Sequence, residues 1–186
     1  MSTLCVIPVR GGSKGIPRKN LRDVGGKPLV VWTIEQALEA KDVRVVVSTE
    51  DEEIASVARA AGAEVIDRPA ELAQDTTATE PVIVHAMDYL RDKEGYEPEF
   101  VMLLQATSPV RLPGTLARAV RQFVENGKDS MVGVIPMGPF VWRWYPDAEP
   151  TAEFEVMARP RRQELPKETY RYRENGSMYI TKTRVY

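Results

Sequence analysis

A short apolar run, Leu4-Cys5-Val6-Ile7, stands directly before Pro8 and the glycine-rich segment Gly11-Gly12-Ser13-Lys14-Gly15. A run this short and this continuously apolar is typical of a strand that is buried on both faces of a parallel sheet. Comparable runs recur along the chain, separated by segments whose apolar residues have helical spacing. Alternating strands and helices require crossover connections, which cover both faces of a sheet with helices. The sequence therefore predicts an α/β fold with a mostly parallel sheet.

The predicted elements follow from this alternation. Strands are predicted over residues 4–7, 43–47, 64–67, 100–104, 131–135 and 177–181, with 100–104, the most apolar, at the centre of the sheet. Helices are predicted over 28–40, 49–61, 81–91 and 114–124. We expect Thr49 to cap the second helix, with Glu52 completing a capping box, and Gly62 to follow its last turn. The acids of 50–53 are interpreted as stabilising that helix N-terminus through its dipole rather than as a metal site.

The alternation of strands and helices stops between residues 137 and 172. Five prolines interrupt this segment, and five aromatic residues fall between Phe140 and Phe154. A connection this long is usually functional, and rings outside the periodic core indicate a surface that a second copy of the chain buries. We therefore expect one domain over 1–186, with a core over 1–136, an extended dimerisation arm over 137–172 and a return to the core over 173–186.

Composition excludes several classes of protein. Of the 186 residues, 43% are hydrophobic and 28% are charged, which is not the composition of a disordered chain, a collagen-like fibre or a coiled coil. The net charge of -2 gives no general basic field for nucleic acid. The single cysteine, Cys5, excludes a disulfide framework and a cysteine-rich zinc site. With neither a basic leader nor an apolar stretch of roughly 18 residues, we expect a cytoplasmic protein without membrane or nucleic-acid partners.

The glycine-rich segment has the features of a phosphate site. Its three glycines let the backbone approach a ligand closely, and Arg10, Lys14, Arg18 and Lys19 surround them with positive charge. It follows a strand, and ligands of open α/β sheets lie at the carboxyl ends of strands. The spacing matches neither the dinucleotide-binding fingerprint nor the P-loop. The alternative is a flexible surface turn with solvated cations.

Other candidate residues have competing interpretations. His85 lies within a predicted helix and is expected to be a packed or surface histidine rather than a catalytic one. Cys5 is expected to be a core residue. The segment Asp75-Thr76-Thr77 is either a turn and helix cap or a contact to a ligand. Gln105 ends the central strand, where a polar residue is usually functional. Arg111 either pairs with a phosphate or holds its own loop.

Five blocks of the chain, in order, resemble the acylneuraminate cytidylyltransferases, the CMP-sialic acid synthetases. The first is Ile7-Pro8-Val9-Arg10-Gly11-Gly12-Ser13-Lys14-Gly15-Ile16-Pro17-Arg18-Lys19-Asn20, which is similar to the signature of that family. The others are Val47-Ser48-Thr49-Glu50, where the family more usually has Asp at position 50, then 68–73 with 75–76, then 103–111, and finally 162–166 with 173–179. The resemblance covers essentially the whole chain. It implies a three-layer, Rossmann-like sandwich of the nucleotide-diphospho-sugar transferase type, with 1–136 as the nucleotide-binding core.

The resemblance also implies an activity. CMP would be transferred from CTP to the anomeric hydroxyl of a sialic-acid-like 2-keto sugar acid, with release of pyrophosphate, in a homodimer that uses Mg²⁺. The residues implied to bind the nucleotide are Arg10, Gly11, Gly12, Ser13, Lys14, Lys19, Asn20, Arg68, Thr77 and Thr79. Those implied to bind the sugar acid are Gln105, Arg143, Arg162, Arg173, Asn175 and Tyr179. Within these sets, Arg10, Lys19 and Gln105 would have the catalytic roles.

One departure from the family concerns the metal. The pair of aspartates that binds metal in the family lies beyond the block that ends at Tyr179, and this sequence reaches Tyr186 without such a motif. We therefore expect the 186-residue chain to bind nucleotide better than it turns it over. Two alternatives remain at this point. One is a nucleotidyltransferase for another sugar acid or a sugar phosphate, and the other is a nucleotide-binding module without catalysis.

Overall fold

A six-stranded sheet forms the centre of the protein in the computed structural model, which describes residues 2–186 apart from the side chain of Arg162. The strands in chain order are β1 (Thr3–Pro8), β2 (Val43–Thr49), β3 (Glu64–Asp67), β4 (Phe100–Leu103), β5 (Ser130–Met137), β6 (Trp142–Arg143), β7 (Thr151–Ala152) and β8 (Arg171–Lys182). The sheet has the order β3-β2-β1-β4-β8-β5, while β6 and β7 pair separately.

The sheet is mostly parallel, as predicted. β1 pairs in parallel with both β2 and β4, and β2 pairs in parallel with β3. β8 runs antiparallel to β4, with Tyr179 opposite Leu103. β4 lies between β1 and β8, which confirms the prediction that the most apolar run is central.

Four helices cover the two faces of the sheet. They are α1 (Leu29–Leu38), α2 (Glu52–Ala60), α3 (Thr79–Glu94) and α4 (Thr115–Asn126). Cys5 and Ile7 of β1 pack in one buried cluster with residues of α1, α2 and α4, whereas Leu4 and Val6 pack in a second cluster with α3. Successive side chains of a strand point to opposite faces, so a strand covered on both sides must be apolar throughout. This three-layer arrangement confirms the predicted fold class.

The start of α2 differs from the prediction. Its N-cap is Asp51, whose Oδ1 accepts a hydrogen bond from the Ile54 amide at 3.0 Å. Thr49 still belongs to β2, where it pairs with Asp67 of β3, and this extended pairing prevents it from capping the helix. The predicted capping box of Thr49 and Glu52 is therefore wrong. Gly62 follows the helix with a φ of 93°, as predicted for a left-handed position after a C-terminus.

The chain divides into two compact units. One contains the residues up to Gly133 together with Gly176–Tyr186, and the other is Val134–Asn175. Within the second unit, Phe154 makes edge-to-face contacts with Phe140 and Trp142, at centroid distances of 5.2 and 5.7 Å. Glu153 pairs with Arg143 and Arg171. The predicted arm of 137–172 falls inside this unit, and its role in dimerisation stays a prediction.

No helix of the described part of the chain is long and apolar enough to cross a membrane.

Candidate active site

A cleft of about 730 Å³ opens at the carboxyl edge of the parallel strands. It lies at the point where the strand order reverses. β2 and β3 are placed on one side of β1, whereas β4 is placed on its other side. Crevices at such a switch point are the usual ligand sites of open α/β sheets. The lining residues come from the end of β1 and the loop after it, from the segment between β3 and α3 with the start of α3, and from the loop after β4. They are Pro8, Arg10, Ser13, Lys14, Gly15, Ile16, Lys19, Asn20, Arg68, Leu72, Gln74, Asp75, Thr77, Ala78, Thr79, Val82, Gln105, Ala106 and Thr107.

The cleft brings together most of the residues expected to bind nucleotide, and it adds Gln105. Gly11 and Gly12 of that set do not line it, and Tyr179 packs instead with the cluster beneath α3. Three further residues of the expected sugar site, Arg143, Arg173 and Asn175, belong to the second unit. The side chain of Arg162 lies outside the described residues.

Two cations of the loop share one carboxylate. Arg10 pairs with Asp75 Oδ1 at 2.5 Å, and Lys14 pairs with Asp75 Oδ2. The hydrogen bond from Lys14, followed by that from Arg10, lowers the pKa of Asp75. Asp75 and Thr76 form a turn, as predicted, but the N-cap of α3 is Ala78, so the cap part of that interpretation is wrong. Asp75 therefore neutralises Arg10 and Lys14, the two cations that an anionic ligand would need.

Replacing Asp75 by Asn will strengthen binding of inorganic tripolyphosphate. The variant removes two partly exposed ion pairs, each of which contributes little because solvent screens it. Isothermal titration calorimetry should show a dissociation constant lower by about two- to tenfold. The control is Asp88→Asn, since Asp88 pairs with Arg91 on the surface of α3. Weaker binding by the Asp75 variant would show that this carboxylate takes part in binding instead of competing with it.

The glycine-rich loop is held against the start of α2. Arg18 forms ion pairs with Asp51 and Glu53, which lie outside the cleft. Arg18 was predicted to surround the glycines together with three other cations, but its charge is neutralised by these two acids. The hydrogen bond from Arg18 lowers the pKa of Asp51. A Cβ on Gly11 would crowd the Asp51 carboxylate, so any larger residue here would displace that side chain.

Glu50 connects the loop to a buried arginine. Gly11 N donates to Glu50 Oε1 at 2.8 Å, and Arg68 Nη2 donates to Glu50 Oε2 at 2.6 Å and to the Val9 carbonyl at 3.0 Å. Asp51 caps α2, and Glu52 and Glu53 lie in its first turn, as the helix-dipole interpretation of 50–53 predicts. Glu50 is the exception, because it precedes the N-cap and acts through the contacts to Gly11 and Arg68. Sequence reasoning missed this role, although an acid directly after a buried strand at the ligand edge was a usable signal.

Arg111 lies behind the loop that carries Gln105. It donates to the Ser177 carbonyl at 2.6 Å, to Gln36 Oε1 at 2.8 Å and to the Gln105 carbonyl at 3.4 Å. Burial lowers its pKa, and none of the ion pairs among the described residues involves it. Of the two predicted roles, holding its own loop is the one the structure supports.

Two titratable residues lie outside the cleft. Burial raises the pKa of the Cys5 thiol to about 12, which fits the predicted core role. His85 faces Tyr89, with ring centroids 6.4 Å apart, and it does not line the cleft. Among the described residues, no group of three or more His, Cys, Asp or Glu could hold a metal ion.

The sequence is similar to those of named cytidylyltransferases. The chain is 36% identical over 185 residues to N-acylneuraminate cytidylyltransferase A of Danio rerio, covering 95% of this chain and 40% of that protein. It is 39% identical over 128 residues to pseudaminic acid cytidylyltransferase of Campylobacter jejuni, covering 68% of this chain and 55% of the relative. The chain thus spans about half the length of these relatives, or less.

A solved structure shows the same fold. CMP:2-keto-3-deoxy-manno-octonic acid synthetase, in complex with CTP, superposes with a TM-score of 0.71 at 20% identity, covering 100% of this chain and 76% of that one. The family model described as "Cytidylyltransferase" matches residues 4–178. With that match over nearly its whole length, the chain belongs to the cytidylyltransferase family.

Proposed function

We propose that this protein binds CTP in the cleft and transfers CMP to the anomeric hydroxyl of a sialic-acid-like 2-keto sugar acid, with release of pyrophosphate. The observation that carries the proposal is the pairing of Arg10 and Lys14 with Asp75 at the switch point of the sheet. Two cations that share one partly exposed carboxylate can exchange it for the stronger negative charge of a triphosphate.

The triphosphate would lie along the loop after β1. Arg10, Lys14 and Lys19 line this part of the cleft with Ser13 and Asn20. Asn20 is buried and donates to the Arg10 carbonyl at 3.1 Å, which fixes the backbone that carries the first cation. A nucleoside triphosphate has about four negative charges, and charge-assisted hydrogen bonds from Arg and Lys bind such a group best.

The base would lie near Arg68, Thr77 and Thr79, which line the other part of the cleft. Arg68 Nε is buried and has no hydrogen-bond partner among the described residues, which leaves a donor for a ligand. A guanidinium offers only donors. Cytosine N3 accepts a hydrogen bond whereas uracil N3 carries a proton, so a fixed donor at this position favours cytosine.

The sugar acid would meet the α-phosphate beside Gln105. Arginine matches the geometry of a carboxylate, and Arg162, together with Arg143, is proposed to supply this contact from a partner copy. Arg173, Asn175 and Tyr179 are proposed to line the pocket of the sugar acid. The new bond joins the anomeric oxygen to the α-phosphorus, the bond from that phosphorus to the bridging oxygen of pyrophosphate breaks, and the hydroxyl proton is lost to solvent. Positioning and charge neutralisation account for most of the catalysis of such a displacement.

Mg²⁺ is proposed as the metal that accompanies CTP. The described residues do not fit a protein-built magnesium site, because Asp75 is the only carboxylate lining the cleft and it is paired with two cations. The ion would therefore be held mainly by phosphate oxygens.

The proposed function is tested by nucleotide binding and by turnover. Thermal unfolding with CTP, UTP, ATP and GTP should show a selective shift for CTP of about 5–10 °C, since a ligand at 100 times its Kd stabilises by about 2.7 kcal/mol. Pyrophosphate release from CTP should then depend on an N-acylated sugar acid. Selective binding without release would identify a nucleotide-binding module. A response to sugar phosphates alone would identify a different nucleotidyltransferase.

The dimer is tested by removing exposed aromatic residues of the second unit. Trp142 and Trp144 are 53% and 71% exposed, so we expect the double variant Trp142→Ser, Trp144→Ser to remain folded and to sediment as a monomer. The control is Val110→Ser, which removes an apolar side chain of the other unit that is even more exposed, at 91%. An unchanged sedimentation profile for the double variant would contradict the proposed arm.

A further inference from the structure

We infer that Glu50 is a positioning residue that fixes the glycine-rich loop and Arg68 relative to each other, so that phosphates and base are bound as one unit. The inference rests on the proposed function, because it assigns those two parts to the two ends of CTP. The inference goes beyond the proposed function because Glu50 does not line the cleft.

The contacts of Glu50 join three separate segments. Its two carboxylate oxygens have different partners, namely the Gly11 amide at 2.8 Å and the Arg68 guanidinium at 2.6 Å. Glu50 itself directly follows β2. The side chain therefore connects the loop after β1 to the segment after β3, and the bond from Arg68 Nη2 to the Val9 carbonyl joins the same two segments.

The backbone beneath Glu50 is already fixed. Val9 N donates to the Ser48 carbonyl, and Arg68 N donates to the Thr49 carbonyl, both at 3.0 Å. Both neighbouring chain segments are thus anchored to β2 one residue beyond the ends of their strands. Because Val9 and Arg68 are held in this way, the Glu50 side chain is long enough to reach both the Gly11 amide and the Arg68 guanidinium.

Glu50 also neutralises the buried charge of Arg68. The side chain of Arg68 is 4% exposed, and Glu50 is its ion-pair partner among the described residues. A buried charge without a partner is strongly destabilising, so Glu50 keeps the guanidinium in place. The Val9 carbonyl, the other acceptor of the same nitrogen, supplies direction but no charge.

Electrostatics alone makes the opposite prediction for phosphate binding. A carboxylate beside a polyanion site repels the ligand, so its removal should strengthen binding, as it should for Asp75. If Glu50 positions the loop, its removal must weaken binding even though a repulsive charge is lost. The sign of the change therefore separates positioning from simple charge.

The test compares Glu50→Gln with the matched variant Glu52→Gln by isothermal titration calorimetry. Glu52 pairs with Arg59 on the exposed side of α2, so its variant makes the same chemical change away from the loop. The ligands are CTP, UTP and inorganic tripolyphosphate. For Glu50→Gln we expect CTP to bind at least tenfold more weakly, tripolyphosphate at least threefold more weakly, and the preference for CTP over UTP to narrow. Glu52→Gln should leave all three affinities unchanged.

Glu50→Asp keeps the charge and provides a second readout if the glutamine variant does not fold. Its carboxylate is one methylene shorter, which lengthens the reach to Gly11 and Arg68, so we expect CTP binding between that of the native protein and that of Glu50→Gln. Unchanged CTP and tripolyphosphate binding in the folded variants, or stronger tripolyphosphate binding in Glu50→Gln, would overturn the inference. Failure of the native protein to bind CTP would instead overturn the proposed function.

Discussion

Substituting Arg10 by Ala will weaken CTP binding by roughly ten- to a hundredfold. The side chain lines the cleft directly after β1 and already holds a carboxylate, Asp75, at 2.5 Å. A hydrogen bond to a charged group contributes about 1.5–3 kcal/mol, and in the variant the phosphate loses both this bond and a charge. Calorimetric titration with CTP measures the effect directly.

The matched control for this substitution is Arg59→Ala. Arg59 pairs with Glu52 on the exposed surface of α2, so it changes the net charge equally without touching the cleft. Its CTP affinity should be native. If Arg10→Ala retained native affinity as well, the loop after β1 would not be the phosphate site.

Substituting Arg111 by Met will lower the free energy of unfolding by about 3 kcal/mol, because several partly buried acceptors lose a charged donor. The guanidinium connects α1 through Gln36, the loop after β4 through Gln105, and β8 through Ser177. Methionine fills similar space but donates nothing. Urea denaturation should show the loss, and the midpoint of thermal unfolding should fall by about 6–12 °C.

The control for the stability measurement is Arg118→Met. Arg118 is exposed on α4, where it donates to the Pro113 carbonyl and to Thr115 within its own segment. Surface substitutions of this kind change stability by less than about 0.5 kcal/mol. A loss for Arg111→Met no larger than that of the control would mean that the guanidinium does not hold these three elements together.

The sheet could be predicted from sequence because burial on both faces forces each strand to be apolar. Leu4 and Val6 contact one helical layer and Cys5 and Ile7 the other, so no polar residue is tolerated between them. The same signal fails for β8. It was predicted over 177–181 but extends back to Arg171, and its first residues are polar and exposed.

Local helix signals were less reliable than strand pairing. The sequence around Thr49 and Glu52 fits a capping box, yet the parallel pairing of Thr49 with Asp67 extends β2 and moves the cap to Asp51. The start of α2 was therefore determined by backbone pairing with a distant strand, and the sequence around the helix carries no information about that pairing.

The residue types that line the cleft could be predicted from the sequence, but the ion pairs between them could not. Glycines and cations after a strand indicated a phosphate site, and Arg10 and Lys14 do line the cleft. Which carboxylate each cation meets depends on segments more than 30 residues away, as in the pairs of Arg18 with Asp51 and of Arg10 with Asp75. Such partners follow from the topology of the strands, which sequence spacing alone does not give.

The most direct measurement is a crystal structure of the protein soaked with CTP. The account predicts density for the triphosphate within hydrogen-bond distance of Arg10 and Lys14, with Asp75 displaced from both and the cytosine ring beside Arg68. A nucleotide bound elsewhere on the protein, or a cleft in which Asp75 still pairs with the two cations at saturating CTP, would contradict it.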